Sequence, residues 1–146
     1  MQKRRRFIPF QRAGFVALAV IVFSISVMPG YGQGGHQLPV RVVDGDTLVL
    51  GPETIRLEGI DAPEKGQTCL NASGKSWKCG QAATAFLRNL INGVDVSCTG
   101  TTKDGYGRRV ATCFAGGKNL NALMIRSGHS FAFRKYSQTY VAEEAF

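Results

Sequence analysis

The residues most able to do chemistry are carboxylates that flank one predicted β-hairpin. Two lie in an Asp-Gly-Asp-Thr turn before the hairpin and two in an Ile-Asp-Ala-Pro-Glu segment after it: Asp44, Asp46, Asp61 and Glu64. Because the two ends of a hairpin are close in space, these side chains can converge. Carboxylate oxygens are the ligands that hard divalent cations such as Ca²⁺ and Mg²⁺ prefer. The pattern therefore indicates a cation site at the open end of the hairpin.

A basic side chain accompanies these carboxylates. Arg56 lies on the second strand of the hairpin, five residues before Asp61. A guanidinium beside a carboxylate–metal site is typical of phosphate binding, because its planar fork matches phosphate oxygens. Taken alone, the acidic turn is explained as an ordinary turn, and Arg56 as half of a surface ion pair. Their combination favours a phosphate-handling site.

The elements that must position these groups are short strands and a few helices. Apolar alternation and β-branched runs predict strands over 38–43, 47–50, 54–57, 94–98 and 109–114, and an extended stretch over 130–133. Helical spacing predicts an amphipathic helix around 83–90, a short helix over 120–124 and a helical pattern from residue 140 onward. Residues 59–78 are predicted to form a long loop. Many short strands with few helices indicate a small barrel or an α+β domain.

Three sequence blocks resemble those of a known family. The blocks are VDGDT at 43–47, IRLEGIDAPE at 55–64 and DGYGRR at 104–109. In this order and spacing they look like the signature blocks of the staphylococcal nuclease (thermonuclease) family, and the resemblance runs from about residue 40 to the C terminus. It implies an α+β fold, namely a five-stranded OB-type β-barrel with three helices. The last helix breaks off at residue 146 and is expected to be truncated. The segment 69–79 resembles that of exported bacterial members.

The resemblance implies Ca²⁺ as the cofactor and names its ligands. Asp46 and Asp61 match the direct cation ligands. Ala62 stands where the family supplies only a backbone carbonyl, so its apolar side chain is compatible with that role. Asp44 is expected to shape the site from behind these ligands. The implied donor set consists entirely of oxygen atoms, as Ca²⁺ requires.

Catalytic and substrate-binding roles also follow from the resemblance. Glu64 matches the carboxylate that acts on the attacking water, and Arg56 and Arg108 match the two phosphate-binding arginines. Tyr106 matches a residue that lines the nucleotide pocket. Phe133 stands in place of a pocket tyrosine, which removes a hydroxyl group near the phosphate. Phosphodiester hydrolysis needs a positioned water and relief of negative charge in the transition state, and these residue types supply both.

Length and composition restrict the class of protein. The chain has 146 residues, of which 44% are apolar and 19% charged, which suits one domain and excludes disordered and multi-span membrane classes. Its net charge of +8 suggests a nucleic-acid or membrane-surface partner. However, residues 35–146 hold 13 Lys and Arg against 10 Asp and Glu, a net charge of +3. The case for nucleic acid therefore rests on the site and hardly on bulk charge.

The N-terminal segment accounts for most of the basic charge. Residues 1–34 are predicted to be a signal peptide or N-terminal anchor plus a linker, and residues 35–146 the domain. Five basic residues in the first twelve positions precede 16 uncharged residues at 13–28, which is the order of a secretory signal. The run is shorter than the ~20 residues of a spanning helix. No clean cleavage site follows it, so an uncleaved anchor is the alternative. Either way we expect an exported domain, periplasmic or secreted.

The cysteines fit an exported domain. The chain has four, Cys69, Cys79, Cys98 and Cys113, and no CxxC motif. An even number behind an export signal predicts disulfides rather than a zinc site. Among the three pairings we favour Cys69–Cys79, which closes a loop, and Cys98–Cys113, which joins neighbouring strands. Trp77 lies in the closed loop and is expected to pack there rather than stack on a base.

Together these observations predict an exported, Ca²⁺-dependent nuclease that acts on DNA and RNA. A site that addresses the phosphate backbone implies weak sequence preference. We expect a monomer with no stable protein partner, and membrane contact only if the leader is uncleaved. The alternative is a non-catalytic OB-type nucleic-acid-binding module, exported or membrane-tethered. The enzyme is favoured because a module without activity would be free to lose some of five residues, all of which are present: Asp46, Arg56, Asp61, Glu64 and Arg108.

Overall fold

The computed structural model describes residues 38–144, and the predicted leader lies outside them. A curled half-barrel sheet with strand order β1-β2-β3-β8-β7 forms the framework. Its strands are β1 Val40–Val42, β2 Thr47–Leu50, β3 Glu53–Leu57, β7 Val96–Thr99 and β8 Arg109–Ala115, with the short β9 Lys118–Asn119 paired to β8. Strands β3 and β8 are parallel, and the other neighbours are antiparallel.

Smaller elements surround this sheet. Strand β4 Ile60–Asp61 pairs with β10 Phe131–Ala132, and β5 Cys69–Leu70 pairs with β6 Ser76–Trp77, each as a separate two-stranded sheet. The helices are α1 Cys79–Ile91, α2 Leu120–Arg126 and a 3₁₀ turn at Val141–Glu144. Within residues 38–144, no helix has the length and apolar character needed to span a membrane.

The core lies between the concave face of the sheet and the two α-helices. Helix α1 buries Ala83, Leu87 and Ile91, which recur every four residues along one face. They belong to one apolar cluster with sheet residues such as Leu48 and Ile55, both fully buried. Burial of this apolar surface is the main term that holds the helices on the sheet.

Asn121 on helix α2 is the largest polar side chain among the fully buried residues. Its Oδ1 accepts a hydrogen bond from the Cys113 backbone N–H at 3.0 Å, and its Nδ2 donates to the Glu58 and Ala111 carbonyls at 2.9 and 3.3 Å. Buried polar groups are retained when they are fully hydrogen-bonded. Asn121 therefore fixes α2 to β8 and to Glu58, the residue that follows β3.

The family-type fold and the positions of the sheet strands agree with the sequence-based predictions, and so do the helices around 83–90 and 120–124. Two expectations were wrong in part. The predicted loop 59–78 contains β4 and the β5–β6 hairpin, whose strands are too short to give a periodic signal. The expected third helix is a 3₁₀ turn over the residues described, where Tyr140 is buried and its hydroxyl accepts from Asn119 Nδ2 at 3.2 Å.

Both favoured disulfides are present, Cys69–Cys79 and Cys98–Cys113. Cys98 and Cys113 are direct cross-strand partners on β7 and β8, which explains why this pair can bridge. Trp77 is 43% exposed, so its expected packing in the closed loop is only partial.

Candidate active site

The register of the β2–β3 hairpin builds the centre of the site. Thr47, the first residue of β2, lies opposite Arg56 on β3, so the Arg56 guanidinium reaches the adjacent Asp46. Arg56 Nη1 lies 3.0 Å from Asp46 Oδ2, and Arg56 Nη2 lies 3.1 Å from Asp61 Oδ1. One guanidinium therefore joins the two predicted cation ligands, of which Asp46 precedes the first strand of the hairpin and Asp61 follows the second.

Asp46 is the most strongly perturbed titratable group of the site. Its side chain is only 11% exposed, and burial raises its pKa from 3.8 to about 6, although the charge of Arg56 and the hydrogen bonds from Ala62 N and Thr47 Oγ1 oppose the rise. Asp46 Oδ2 accepts from Ala62 N at 2.8 Å, and Oδ1 accepts from Thr47 Oγ1 at 3.0 Å. Both carboxylate oxygens are thus held in fixed directions. The cost of removing the charged carboxylate from water still exceeds the stabilisation that Arg56 and these hydrogen bonds provide.

A close approach of backbone elements positions the acidic turn. A Cβ atom at Gly45 would lie 2.7 Å from the Ala62 Cβ and 2.8 Å from the Ala83 Cβ, so any larger residue would force them apart. Asp44 Oδ1 accepts a hydrogen bond from the Asp46 backbone N–H at 3.1 Å. Asp44 therefore helps to order the turn that carries Asp46.

The second arginine reaches the same region from the neighbouring strand. Because β3 and β8 are parallel, with Arg56 opposite Val110, Arg108 enters the site just before β8 begins. Asp104 holds it through Oδ2, 2.8 Å from Arg108 Nε, and through Oδ1, which accepts from the Arg108 backbone N–H at 3.0 Å. Arg108 Nη1 lies 3.4 Å from Thr47 Oγ1, so Thr47 connects Asp46 to Arg108.

Sequence reasoning missed the roles of Asp104 and Thr47. Burial alone would raise the pKa of Asp104, but hydrogen bonds from Arg108 and the Tyr106 N–H hold it below its ordinary value. The spacing of Asp104 and Arg108 and the intervening glycines are the signals that could have indicated this capped turn. For Thr47, the only signal in the sequence is its position directly after Asp46.

Glu64 lies beside this network and is exposed. Its carboxylate has no hydrogen-bond partner among residues 38–144, but its backbone is fixed. Gln67 N donates to the Glu64 carbonyl at 2.7 Å, and Glu64 N donates to Gln67 Oε1 at 3.2 Å. Gly80 packs against the same turn so closely that a Cβ there would lie 1.7 Å from the Glu64 carbonyl oxygen. The turn is therefore fixed against the start of α1, while the carboxylate is free to act on a water.

A cleft of about 560 Å³ opens next to the two arginines. Arg56, Arg108, Tyr106 and Phe133 line it together with Tyr136. Phe133 and Tyr136 meet edge to face with ring centroids 4.7 Å apart, and the Arg108 guanidinium lies 5.4 Å from the Tyr106 ring centroid. Sequence reasoning missed Tyr136, because only the tertiary fold brings it here.

The donor chemistry of this site fits a hard cation. Asp46, Asp61 and the Ala62 carbonyl all offer oxygen, the donor that Ca²⁺ and Mg²⁺ take. In residues 38–144, however, no group of three or more His, Cys, Asp or Glu side chains is placed to hold a metal. Of the four carboxylates expected to converge, Arg56 joins Asp46 and Asp61, and Asp44 supports the turn, whereas the Glu64 carboxylate shares no ion pair with them in residues 38–144.

Fold and site together define a small OB-type α+β domain in which two arginines line one cleft and one of them, Arg56, pairs with two carboxylates. Residues 54–146 match the family described as staphylococcal nuclease homologue. The chain therefore belongs to the staphylococcal nuclease family, as the three sequence blocks predicted.

Similar proteins agree with this assignment. The succinoglycan biosynthesis protein ExoI of Rhizobium meliloti is 37% identical over 91 residues, which cover 61% of this chain and 48% of ExoI. The micrococcal nuclease of Shigella flexneri is 32% identical over 139 residues, covering 86% of this chain and 74% of that nuclease. An uncharacterized endonuclease of Escherichia coli O157:H7 is 31% identical over 128 residues, covering 84% and 75%. The matched region spans about half the length of ExoI and about three quarters of the two nucleases.

Proposed function

We propose that this chain is a Ca²⁺-dependent nuclease that hydrolyses phosphodiester bonds of DNA and RNA. The observation that carries the proposal is the bridge from Arg56 to both Asp46 and Asp61 at the edge of a cleft that Arg108 also lines. Family membership and the names of the two nuclease relatives support the same reaction class.

The cation would be held by the Asp46 and Asp61 carboxylates and the Ala62 carbonyl. When bound, it supplies positive charge to a phosphate oxygen and to the charge that develops in the transition state. Asp46 must be ionised to contribute, and its raised pKa of about 6 still leaves it ionised at neutral pH. Asp44 keeps the turn ordered by accepting from the Asp46 N–H.

The two arginines act on the substrate phosphate. Arg56 lies on β3 and Arg108 directly precedes the parallel neighbouring strand β8, so both guanidinium groups can address one phosphate in the cleft that they line. Asp104 fixes the Nε edge of Arg108 and leaves its Nη groups directed toward Thr47 and the cleft. Preorganised positive groups of this kind stabilise charge in a transition state by about 3–4 kcal/mol each.

Glu64 acts on the attacking water. Its backbone is fixed by Gln67, and its carboxylate remains exposed and able to accept a proton or orient the water. Tyr106, Phe133 and Tyr136 offer apolar surface for the adjoining nucleoside without base-edge recognition. Contacts directed at the phosphate and sugar predict weak sequence preference and activity on both nucleic acids.

We also infer export, with the protein acting as a monomer in the periplasm or outside the cell. Two disulfides support an oxidising compartment, where such bonds persist. The basic and apolar order of residues 1–34 supports the same location, whether that segment is removed or retained as an anchor.

The test is hydrolysis of single-stranded DNA and RNA with Ca²⁺, with a chelator, and with Glu64→Gln. We expect strong loss of activity with the chelator and with the variant. Glu58→Gln is the matched control, because Glu58 is also an exposed glutamate and lines the cleft. Chelator-resistant hydrolysis, or equal loss in both glutamine variants, would contradict the assigned roles. A folded wild type without activity would leave the nucleic-acid-binding module as the function.

A further inference from the structure

The β5–β6 hairpin exposes apolar side chains that do not pack into the core. It forms its own two-stranded sheet and does not join the main one. Leu70 is 72% exposed and Trp77 is 43% exposed, and neither belongs to the apolar core. The Cys69–Cys79 disulfide closes its base, so the hairpin is held in one conformation at low entropic cost. We call residues 65–79 the arm.

The arm also concentrates positive charge. Lys65, Lys75 and Lys78 are all exposed, and no Asp or Glu occurs from Lys65 to Lys78. Three uncompensated lysines in this short stretch equal the net charge of +3 of residues 35–146 as a whole. An exposed aromatic ring flanked by lysines is the combination that binds single-stranded nucleic acid, by stacking on bases and by neutralising phosphates.

The arm is anchored directly beside the candidate catalytic glutamate. Gln67 N donates to the Glu64 carbonyl at 2.7 Å, and the Gln67 carbonyl accepts from Gly80 N at 3.2 Å. Two residues further on, Cys69 pairs across the hairpin with Trp77. A chain of two residues spans at most about 7 Å, so Trp77 lies within a few nucleotide lengths of the site of hydrolysis.

We propose that the arm is a binding site for the single-stranded nucleic-acid substrate next to the bond that is cleaved, with a base stacked on Trp77 and phosphates paired with Lys75 and Lys78. This proposal rests on the proposed nuclease function, because it takes the neighbouring Glu64 site as the place where the bond is cleaved. The arm supplies the positive charge that the rest of residues 35–146, with a net charge of zero, lacks. An anionic membrane surface has related chemistry, but the link to Glu64 favours the strand.

Trp77 is the sole tryptophan of the chain, so its fluorescence reports on the arm alone. The experiment titrates an oligothymidylate of about sixteen nucleotides, long enough to fill an OB-fold, into Glu64→Gln protein with Ca²⁺. We expect saturable quenching of Trp77. By anisotropy of a labelled strand, Trp77→Ala should weaken binding about 5- to 100-fold, and Trp77→Phe, which keeps a stacking ring, should restore most of the affinity.

Salt dependence separates specific lysine contacts from general charge. The double variant Lys75→Gln with Lys78→Gln should reduce the slope of log affinity against log salt by about 1.4, since each phosphate contact to a single strand contributes about 0.7. The matched control is Arg88→Gln with Lys118→Gln, which removes the same charge from exposed positions outside the arm. Equal slopes for the two double variants would overturn the proposal.

Other outcomes are also decisive. Strand binding by anisotropy without any change in Trp77 fluorescence would overturn the arm as a binding site. So would a blue shift with anionic phospholipid vesicles and none with the oligonucleotide, which would assign the arm to a membrane surface. Quenching of Trp77 together with absence of hydrolysis by the folded wild type would support the arm and contradict only the nuclease function. Hydrolysis without a change in Trp77 fluorescence would support the nuclease function and contradict the arm as a binding site.

Discussion

Replacement of Asp46 by Asn is expected to stabilise the protein at neutral pH while it removes the proposed cation ligand. The side chain of Asp46 is only 11% exposed, and burial raises its pKa from 3.8 to about 6. A rise of this size corresponds to about 3 kcal/mol, since one pKa unit is worth about 1.4 kcal/mol. Asn has the shape of the protonated carboxyl group, so Asp46→Asn should recover about that amount.

The sign and the pH window follow from linkage. Because the folded state binds the Asp46 proton more tightly than the unfolded state, this group favours folding fully below pH 3.8, and the contribution is lost as the pH rises to about 6. The difference in unfolding free energy between Asp46→Asn and wild type should therefore be small at acid pH. It should grow in favour of the variant between these two values and level off above them.

Urea denaturation followed by circular dichroism, with a chelator present, measures this difference across the pH range. Asp104→Asn is the matched control, because the pKa of Asp104 is lowered and not raised. Its difference curve must have the opposite sign, with stability lost by the variant as the pH rises. A flat curve for Asp46→Asn, or one that falls with pH, would refute the conclusion that desolvation outweighs the Arg56 ion pair at this carboxylate.

Three further predictions concern the site and its support. Hydrolysis at low Ca²⁺ should fall as the pH drops through about 6, because Asp46 takes up a proton, and a pH–rate series at higher Ca²⁺ should move this limb to lower pH. Gly80→Ala places a methyl group 1.7 Å from the Glu64 carbonyl oxygen, so the turn must move. A shift of about 1 Å should lower kcat about 100-fold. Gly66→Ala is the control, because a methyl group there meets open space and should leave kcat unchanged. Asn121→Ala removes three hydrogen bonds to backbone groups and should lower the unfolding free energy by about 3 kcal/mol; a loss below about 1 kcal/mol in urea denaturation would contradict its bridging role.

The central hairpin could be predicted from sequence because its signals are local. β-branched residues on both sides of the Gly51-Pro52 turn fix the register, and the register alone brings Arg56 to Asp46. The three sequence blocks extended this to Arg108, which is far away in the chain. The family match over residues 54–146 contains the second and third blocks, whereas the individual roles of these residues remain predictions.

The features that sequence reasoning missed depend on tertiary contacts. Tyr136 joins the cleft only because Phe133 N donates to the Gly59 carbonyl and returns the chain to β4. The β5–β6 hairpin has only two residues in each strand, too few for a period of two to be read.

The local charge balance supports the proposal that this site uses a cation to act on nucleic acid. Five acids surround it and only two arginines, namely Asp44, Asp46, Asp61, Glu64 and Asp104 against Arg56 and Arg108. Both arginines already pair with these carboxylates, at 3.0 Å from Asp46 and 2.8 Å from Asp104. Such a site repels a phosphodiester, and two unit charges about 4 Å apart interact by about 1–4 kcal/mol near a protein surface. A divalent cation on the Asp46–Asp61 pair would offset most of this repulsion and release Arg56 for the phosphate. The lysines of the arm would then attract the rest of the strand, so that bulk charge on the domain is not required.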